Sequence, residues 1–248
     1  MNINYYKEYS SILNRDMEYK VFGDTGRICL AFPAQNGRFY DFENFGMVDC
    51  MSEWIENGKV QLVLVDSLDW ESWTCQWRSP RERIEMQEKW FSYVTDELLP
   101  TLKERNDTRE KAMTTGCSMG AVHAANFFFR RPDLFESVIA LSGLYNAGYF
   151  FHGYMDDLVY GNSPASFLRN MPADHPYMDI YAKSKIIICI GQGPWENETL
   201  DGTRELDWVL KQKNIPAWVD YWGYDVSHDW IWWRKQLPYF LGQIEAFL

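Results

Sequence analysis

The sequence predicts a three-layer α/β fold, in which a mostly parallel sheet of eight strands is covered by helices on both faces. Two observations predict it. Short runs such as Ile28 to Phe32, Leu62 to Val65 and Lys185 to Ile190 are apolar at nearly every position. A strand buried on both faces needs that pattern, whereas a half-exposed strand alternates. Helical stretches separate these runs, which is the alternation of a parallel sheet. The chain has 248 residues with a hydrophobic share of 46 %, enough for a core of its own. No repeat, linker or low-complexity tract divides it, so residues 1–248 are expected to form one domain.

Asn4 to Leu13 and Met17 to Phe22 read as two edge strands with a turn at Asn14-Arg15-Asp16. Gly23-Asp24-Thr25-Gly26 is a turn that closes the second. Ile28 to Phe32 ends at Pro33, and Leu62 to Val65 is followed by Asp66-Ser67. Ser79-Pro80 opens a helix through Leu99, with Ser as N-cap and Pro at the first helical position. Ala112 to Cys117 is a strand, Ala121 to Arg130 the helix after it, and Pro132 stops that helix. Ser137 to Leu141 and Lys185 to Ile190 are strands. Between them Tyr145 to Ala182 reads as long and irregular, a cap-like insertion able to shape specificity. Leu206 to Lys213 is helical, Ala217 to Trp222 is the last strand, and Trp230 to Leu248 the last helix.

Charge narrows the function classes. The 24 Lys and Arg stand against 35 Asp and Glu, a net charge of −11. Binding to nucleic acid or to an anionic membrane needs the opposite surplus. No apolar run reaches the roughly 18 residues of a spanning helix. Met1 to Leu13 lacks the basic start and apolar middle of a signal peptide. The five cysteines, at 29, 50, 75, 117 and 189, include no CxxC pair. That spacing argues against a metal cluster or disulfide framework and points to a reducing cytoplasm. No cofactor and no metal are expected.

Gly116-Cys117-Ser118-Met119-Gly120 matches G-x-S-x-G where a strand gives way to a helix. The glycines relieve crowding at a bend that lifts the Ser118 hydroxyl above the sheet. The N–H of Met119 then faces a developing oxyanion. A Ser hydroxyl needs a base. Of the four His, His123 sits five residues on along the same helix, which assigns it packing or capping. His152 and His175 fall in the irregular segment and read as loop residues. His228 lies between the last strand and the last helix, where chain order Ser, acid, His would put the base. The acid belongs on the loop after Lys185 to Ile190, which offers Glu196, Glu198 and Asp201; Glu196 is nearest the strand end. The second oxyanion donor belongs on Pro33-Ala34-Gln35-Asn36-Gly37, where either Gln35 or Asn36 can supply an N–H.

From about Cys29 to Leu241 these residues resemble the branch of the α/β-hydrolases that holds esterase D, feruloyl and acetylxylan esterases and the mycolyltransferases. The likeness rests on Gly116 to Ala121, Arg131-Pro132-Asp133-Leu134-Phe135, Ser142-Gly143, Gly193-Pro194-Trp195-Glu196, and Ser227-His228-Asp229-Trp230 with Trp233. The resemblance implies an α/β-hydrolase fold and a Ser118-Glu196-His228 triad acting on a small-molecule or saccharide ester. It also implies Gln35 as the second oxyanion donor, although the loop lacks the His-Gly or Asp-Gly form common elsewhere. Glu stands at 196 where esterase-D-like enzymes carry Asp. Two other readings share these residues: an acyltransferase, and a silent homologue that binds carbohydrate or acyl groups.

Seven of the 12 Trp fall in or beside loops and helix starts at strand C-terminal ends, where α/β sheets build their sites. Most are expected to pack. Trp73 and Trp195 are the two expected to touch substrate.

Overall fold

The computed structural model describes residues 1–248. Its strands are β1 (Ile3–Ser10), β2 (Arg15–Phe22), β3 (Arg27–Phe32), β4 (Val60–Val65), β5 (Ala112–Cys117), β6 (Phe135–Leu141), β7 (Lys185–Ile190) and β8 (Trp218–Tyr221). Its helices are α1 (Asp41–Asn44), α2 (Ser52–Glu56), α3 (Pro80–Ser92), α4 (Leu99–Arg105), α5 (Met119–Arg130), α6 (Asp157–Gly161), α7 (Pro164–Asn170), α8 (Pro176–Tyr181), α9 (Asn197–Gln212) and α10 (Trp230–Gln243). The eight strands form one sheet in the order β1-β2-β4-β3-β5-β6-β7-β8. β1 and β2 pair antiparallel, β2 runs antiparallel to β4, and all pairs from β4 through β8 are parallel.

The all-apolar runs behave as their composition requires. Ile28, Leu30 and Phe32 of β3 point into one core with Ala121, Ala124 and Phe127 of α5. The alternate residues Cys29 and Ala31 point into a second core with Trp233, Leu237 and Phe240 of α10. β7 divides the same way, Ile186 and Ile188 to one side, Ile187 and Cys189 to the other. Two cores on opposite faces of one sheet are the three layers. No helix is long and apolar enough to cross a membrane.

Several element boundaries differ from the sequence reading, each for a local reason. The β1–β2 turn occupies residues 11–14 rather than 14–16. Glu97 reaches across from the α3–α4 segment to accept the N–H groups of Ser11 and Ile12, at 3.0 and 3.1 Å, and Asn14 takes the left-handed conformation that ends the turn. α3 carries the expected Ser79–Glu82 capping box. The helical run does not stop at Leu99: a π-helical turn, Tyr93–Leu98, leads into α4. Pro100 removes one N–H there, and a widened turn accommodates the loss. α9 begins at Asn197, nine residues before its apolar pattern becomes regular. The 145–182 stretch holds three short helices, α6 to α8, each too short for a helical period to show in sequence. The same holds for α1 and α2 in the stretch before β4.

The bend after β5 is tightly packed. A Cβ on Gly120 would lie 2.2 Å from the carbonyl oxygen of Phe32, and one on Gly116 2.3 Å from the backbone of Gly120. Backbone atoms cannot rotate away as a side chain can. Gly120→Ala is therefore expected to cost about 3 kcal/mol or more. That corresponds to a fall in Tm of about 10 °C for a chain of this size, read by thermal denaturation.

Candidate active site

Ser118 sits between β5 and α5 with φ 57° and ψ −122°, a backbone conformation that L-residues enter only under constraint. Its own N–H donates to the Leu141 carbonyl at 2.9 Å, and its carbonyl accepts the N–H groups of Ala121 and Val122. The bend is thus fastened to β6 on one side and to α5 on the other. Met119 is the first residue of α5, where an N–H has no helical acceptor one turn back. Cys117, the neighbouring nucleophile by type, is buried in the second core. Burial pushes its thiol well above the usual range, so it supplies no thiolate.

His228 Nδ1 lies 2.9 Å from Glu196 Oε2. Glu196 is 1 % exposed, and its carboxylate is well served. Oε1 accepts the Ser142 hydroxyl and Oε2 the Thr199 hydroxyl, both at 2.6 Å. Ser142 Oγ in turn accepts Trp233 Nε1–H at 3.0 Å, and the Trp233 ring stands edge-on to His228 at 4.9 Å. Strand ends and loops hold these groups together. Trp195, at φ 70°, turns the chain just before Glu196. Gly193 N–H donates to Val226 at 2.8 Å and His228 N–H to Pro194 at 3.0 Å, which stitches the β7–α9 loop to the β8–α10 loop.

The other two carboxylates stand apart from His228. Glu198 hydrogen-bonds the Tyr149 hydroxyl, and Asp201 is exposed and paired with Arg204 at 3.2 Å. The two candidate oxyanion donors also separate. The Asn36 N–H is committed to Asp69 Oδ2 at 3.1 Å, while the Gln35 N–H makes no hydrogen bond within the protein.

Ser118, Met119, Gln35 and His228 line one cavity of about 200 Å³, with Leu144, Tyr149, Phe150 and Trp195 among its other walls. The structure brings Trp195 to this cavity at 85 % exposure but not Trp73. Trp73 is buried behind it, packed edge-on against Phe150 and Phe151, with its indole N–H donating to Gln87 at 2.8 Å. A ring this large gains more from full burial than from a half-wet wall. His123, expected to pack or cap, is fully buried and bonded to Asp69. His152 is an exposed loop residue, and His175 caps α8. The sequence reading did not single out Ser142 or Thr199 for a role. Their one local signal is position: Ser142 follows β6 directly, and Thr199 lies three residues after Glu196, in the first turn of α9.

The family model described as "Putative esterase" matches residues 10–244. A search of curated protein sequences finds no match. Among solved structures, a ferulic acid esterase aligns with a TM-score of 0.77 at 18 % identity, over 100 % of this chain and 99 % of its own. An S-formylglutathione hydrolase from Agrobacterium tumefaciens aligns at 0.76 and 14 % identity, over 97 % and 93 %. A CE1 ferulic acid esterase from Anaeromyces mucronatus, in complex with ferulic acid, aligns at 0.72 and 14 % identity, over 96 % and 89 %. At these identities the structural likeness establishes the fold, and the family match establishes the class. The chain belongs to this esterase family and is a carboxylic ester hydrolase with the α/β-hydrolase fold.

Proposed function

We propose that Ser118, His228 and Glu196 form the catalytic triad of a serine esterase that works through an acyl-enzyme. The observation that carries this reading is the 2.9 Å contact of His228 with the buried Glu196 carboxylate, beside a cavity that Ser118 also lines. With Nδ1 engaged by the carboxylate, Nε2 is the basic atom of His228. It takes the Ser118 proton as the hydroxyl attacks the ester carbonyl. The N–H groups of Met119 and Gln35 receive the negative charge that forms on the carbonyl oxygen. His228 then gives its proton to the leaving alcohol and activates water to release the acid. Glu196 holds the imidazole in the productive tautomer and stabilises its protonated form. Every step uses side chains and backbone of this chain, with no call on a metal or cofactor.

Cavity size and lining support a substrate class. At about 200 Å³ the site is small for a ligand pocket and takes a short acyl group or one flat ring. Tyr149, Phe150 and Trp195 supply faces for such a ring. Ferulic acid, bound by the Anaeromyces mucronatus esterase, is an acid of that shape. A neighbouring hollow of about 450 Å³ shares Leu144, Tyr149 and Glu198 with the site and adds Asn146, Asp201 and Glu205. Those oxygens accept hydrogen bonds, which suits a hydroxyl-rich alcohol such as a sugar. The test is labelling with a fluorophosphonate followed by peptide mass analysis, together with turnover of a panel of acetyl, feruloyl and saccharide esters. The expected result is one adduct on the peptide holding Ser118 and a measurable preference within the panel. Absence of both adduct and turnover would overturn the triad in favour of a silent binding homologue.

A further inference from the structure

The loop carrying Gln35 rests on a buried histidine–aspartate pair that the proposed reaction does not use. His123 lies in the second turn of α5, fully buried, with Nε2 2.9 Å from Asp69 Oδ1. Asp69 is 1 % exposed, and its other oxygen accepts the Asn36 N–H at 3.1 Å. Asn36 is itself in the left-handed region, at φ 57°, so its conformation has to be held from outside. A second hold comes from Thr74, whose hydroxyl meets the Asn36 side-chain oxygen. The Thr74 N–H and hydroxyl both reach the Asp69 carbonyl at 2.9 Å. The His123 ring stands among Trp90, Trp73 and Phe32, and its Nδ1 has no partner. Apolar side chains at both positions would fill that space without burying polar groups, and replacing both partners of a buried polar pair in this way is often neutral or stabilising, so packing alone does not call for the pair.

We infer that His123 and Asp69 are positioning residues for the oxyanion hole. His123 anchors the Asp69 carboxylate from α5, the helix that follows Ser118 directly. The carboxylate then draws the Asn36 N–H away from the cavity, which leaves the neighbouring Gln35 N–H to face it. One buried pair thereby keeps the two donors, Met119 on α5 and Gln35 on the loop after β3, in register. This inference rests on Ser118 being the nucleophile. Its consequence is kinetic: oxyanion donors act on the transition state and not on bound substrate, so misplacing one lowers kcat and spares KM.

The experiment uses the full chain with p-nitrophenyl acetate, and kcat is expressed per fluorophosphonate-labelled site. His123→Phe fills the aromatic box but cannot donate to Asp69; its kcat per labelled site is expected to fall about 30- to 100-fold with KM within about threefold. His123→Gln presents an amide N–H toward Asp69 and is expected to recover to within about tenfold of the parent chain. A His123→Phe chain with unchanged kcat per labelled site overturns the inference, whatever happens to its Tm. Equal losses in the Phe and Gln variants also overturn it, because the ring and not its hydrogen bond would then matter. Should His123→Phe fail to fold, Asp69→Asn decides. It keeps the shape but loses the charge-assisted bonds, so kcat is expected to fall about tenfold at constant KM, and full activity overturns the inference. A parent chain that neither labels nor turns over removes the nucleophile and this inference together; a labelled parent with a full-rate His123→Phe removes the inference alone.

Discussion

Ser118→Ala is expected to lower kcat for p-nitrophenyl acetate by about six orders of magnitude, the scale seen when a triad nucleophile is removed. Nothing nearby can replace the hydroxyl. Cys117 is adjacent in sequence but faces the opposite core, and burial keeps its thiol protonated. The rate that remains is the part supplied by the Met119 and Gln35 N–H groups and by substrate binding. Stability should hardly change. The Ser118 side chain makes no hydrogen bond, and Ala carries the same Cβ through the same left-handed bend, so Tm is expected within about 3 °C of the parent. Turnover and circular dichroism melting on the same preparation check both halves. A variant that keeps parental turnover would move the nucleophile elsewhere; a variant that loses turnover and melts far lower would make the loss a folding effect.

The parts of this molecule that were readable in the sequence are those encoded by short-range pattern. The sequence bounds β5 and β7 to the residue: every position in them but Lys185 is buried, and Ser118 and Gly191 follow directly where each ends. Ser118 and His228 stand out as candidates because each lies at the junction of one strand and one helix, a place that the chain order fixes. What was not legible depends on distant partners. Glu196, Glu198 and Asp201 are similar in sequence. Only the crossing of the β7–α9 and β8–α10 loops sets Glu196 against His228 and the others against Tyr149 and Arg204. From the residues alone Gln35 and Asn36 are equal donors; the resemblance favours Gln35, and it is Asp69, 33 residues along from Asn36, that takes the Asn36 N–H. Trp73 looked like a site residue because it follows a strand end, yet the aromatic packing around His123 and Phe150 draws it inward. Local rules fail here because neighbours from other elements override them.

Glu196→Gln carries the second large expectation: a fall in kcat of about 10³- to 10⁴-fold at little change in KM. The substitution keeps size and shape but not the pattern of donors and acceptors. Three donors converge on the carboxylate, from His228, Ser142 and Thr199, and a carboxylate has only acceptors to offer them. An amide has one oxygen and one NH₂ group. With the oxygen toward His228 and Thr199, the NH₂ confronts the Ser142 hydroxyl. That hydroxyl can accept from the NH₂ beside Trp233 Nε1–H, but its own hydrogen, which the carboxylate accepted, is then left without an acceptor. With the NH₂ toward His228, the imidazole is driven to the tautomer whose Nε2 carries the proton and cannot act as base. Either orientation strands a polar group in a place that is 1 % exposed, at a cost of about 1–3 kcal/mol. Tm should therefore fall by several degrees as activity is lost. Asp201→Asn, at an exposed ion pair, is expected to leave both kcat and Tm near the parent. Glu198→Gln, at the cavity edge, is expected to lower kcat less than about tenfold, since it meets Tyr149 and not His228. Steady-state kinetics and melting curves for the three variants rank the carboxylates directly. A larger loss at Glu198 or Asp201 than at Glu196 would transfer the role of acid to that residue.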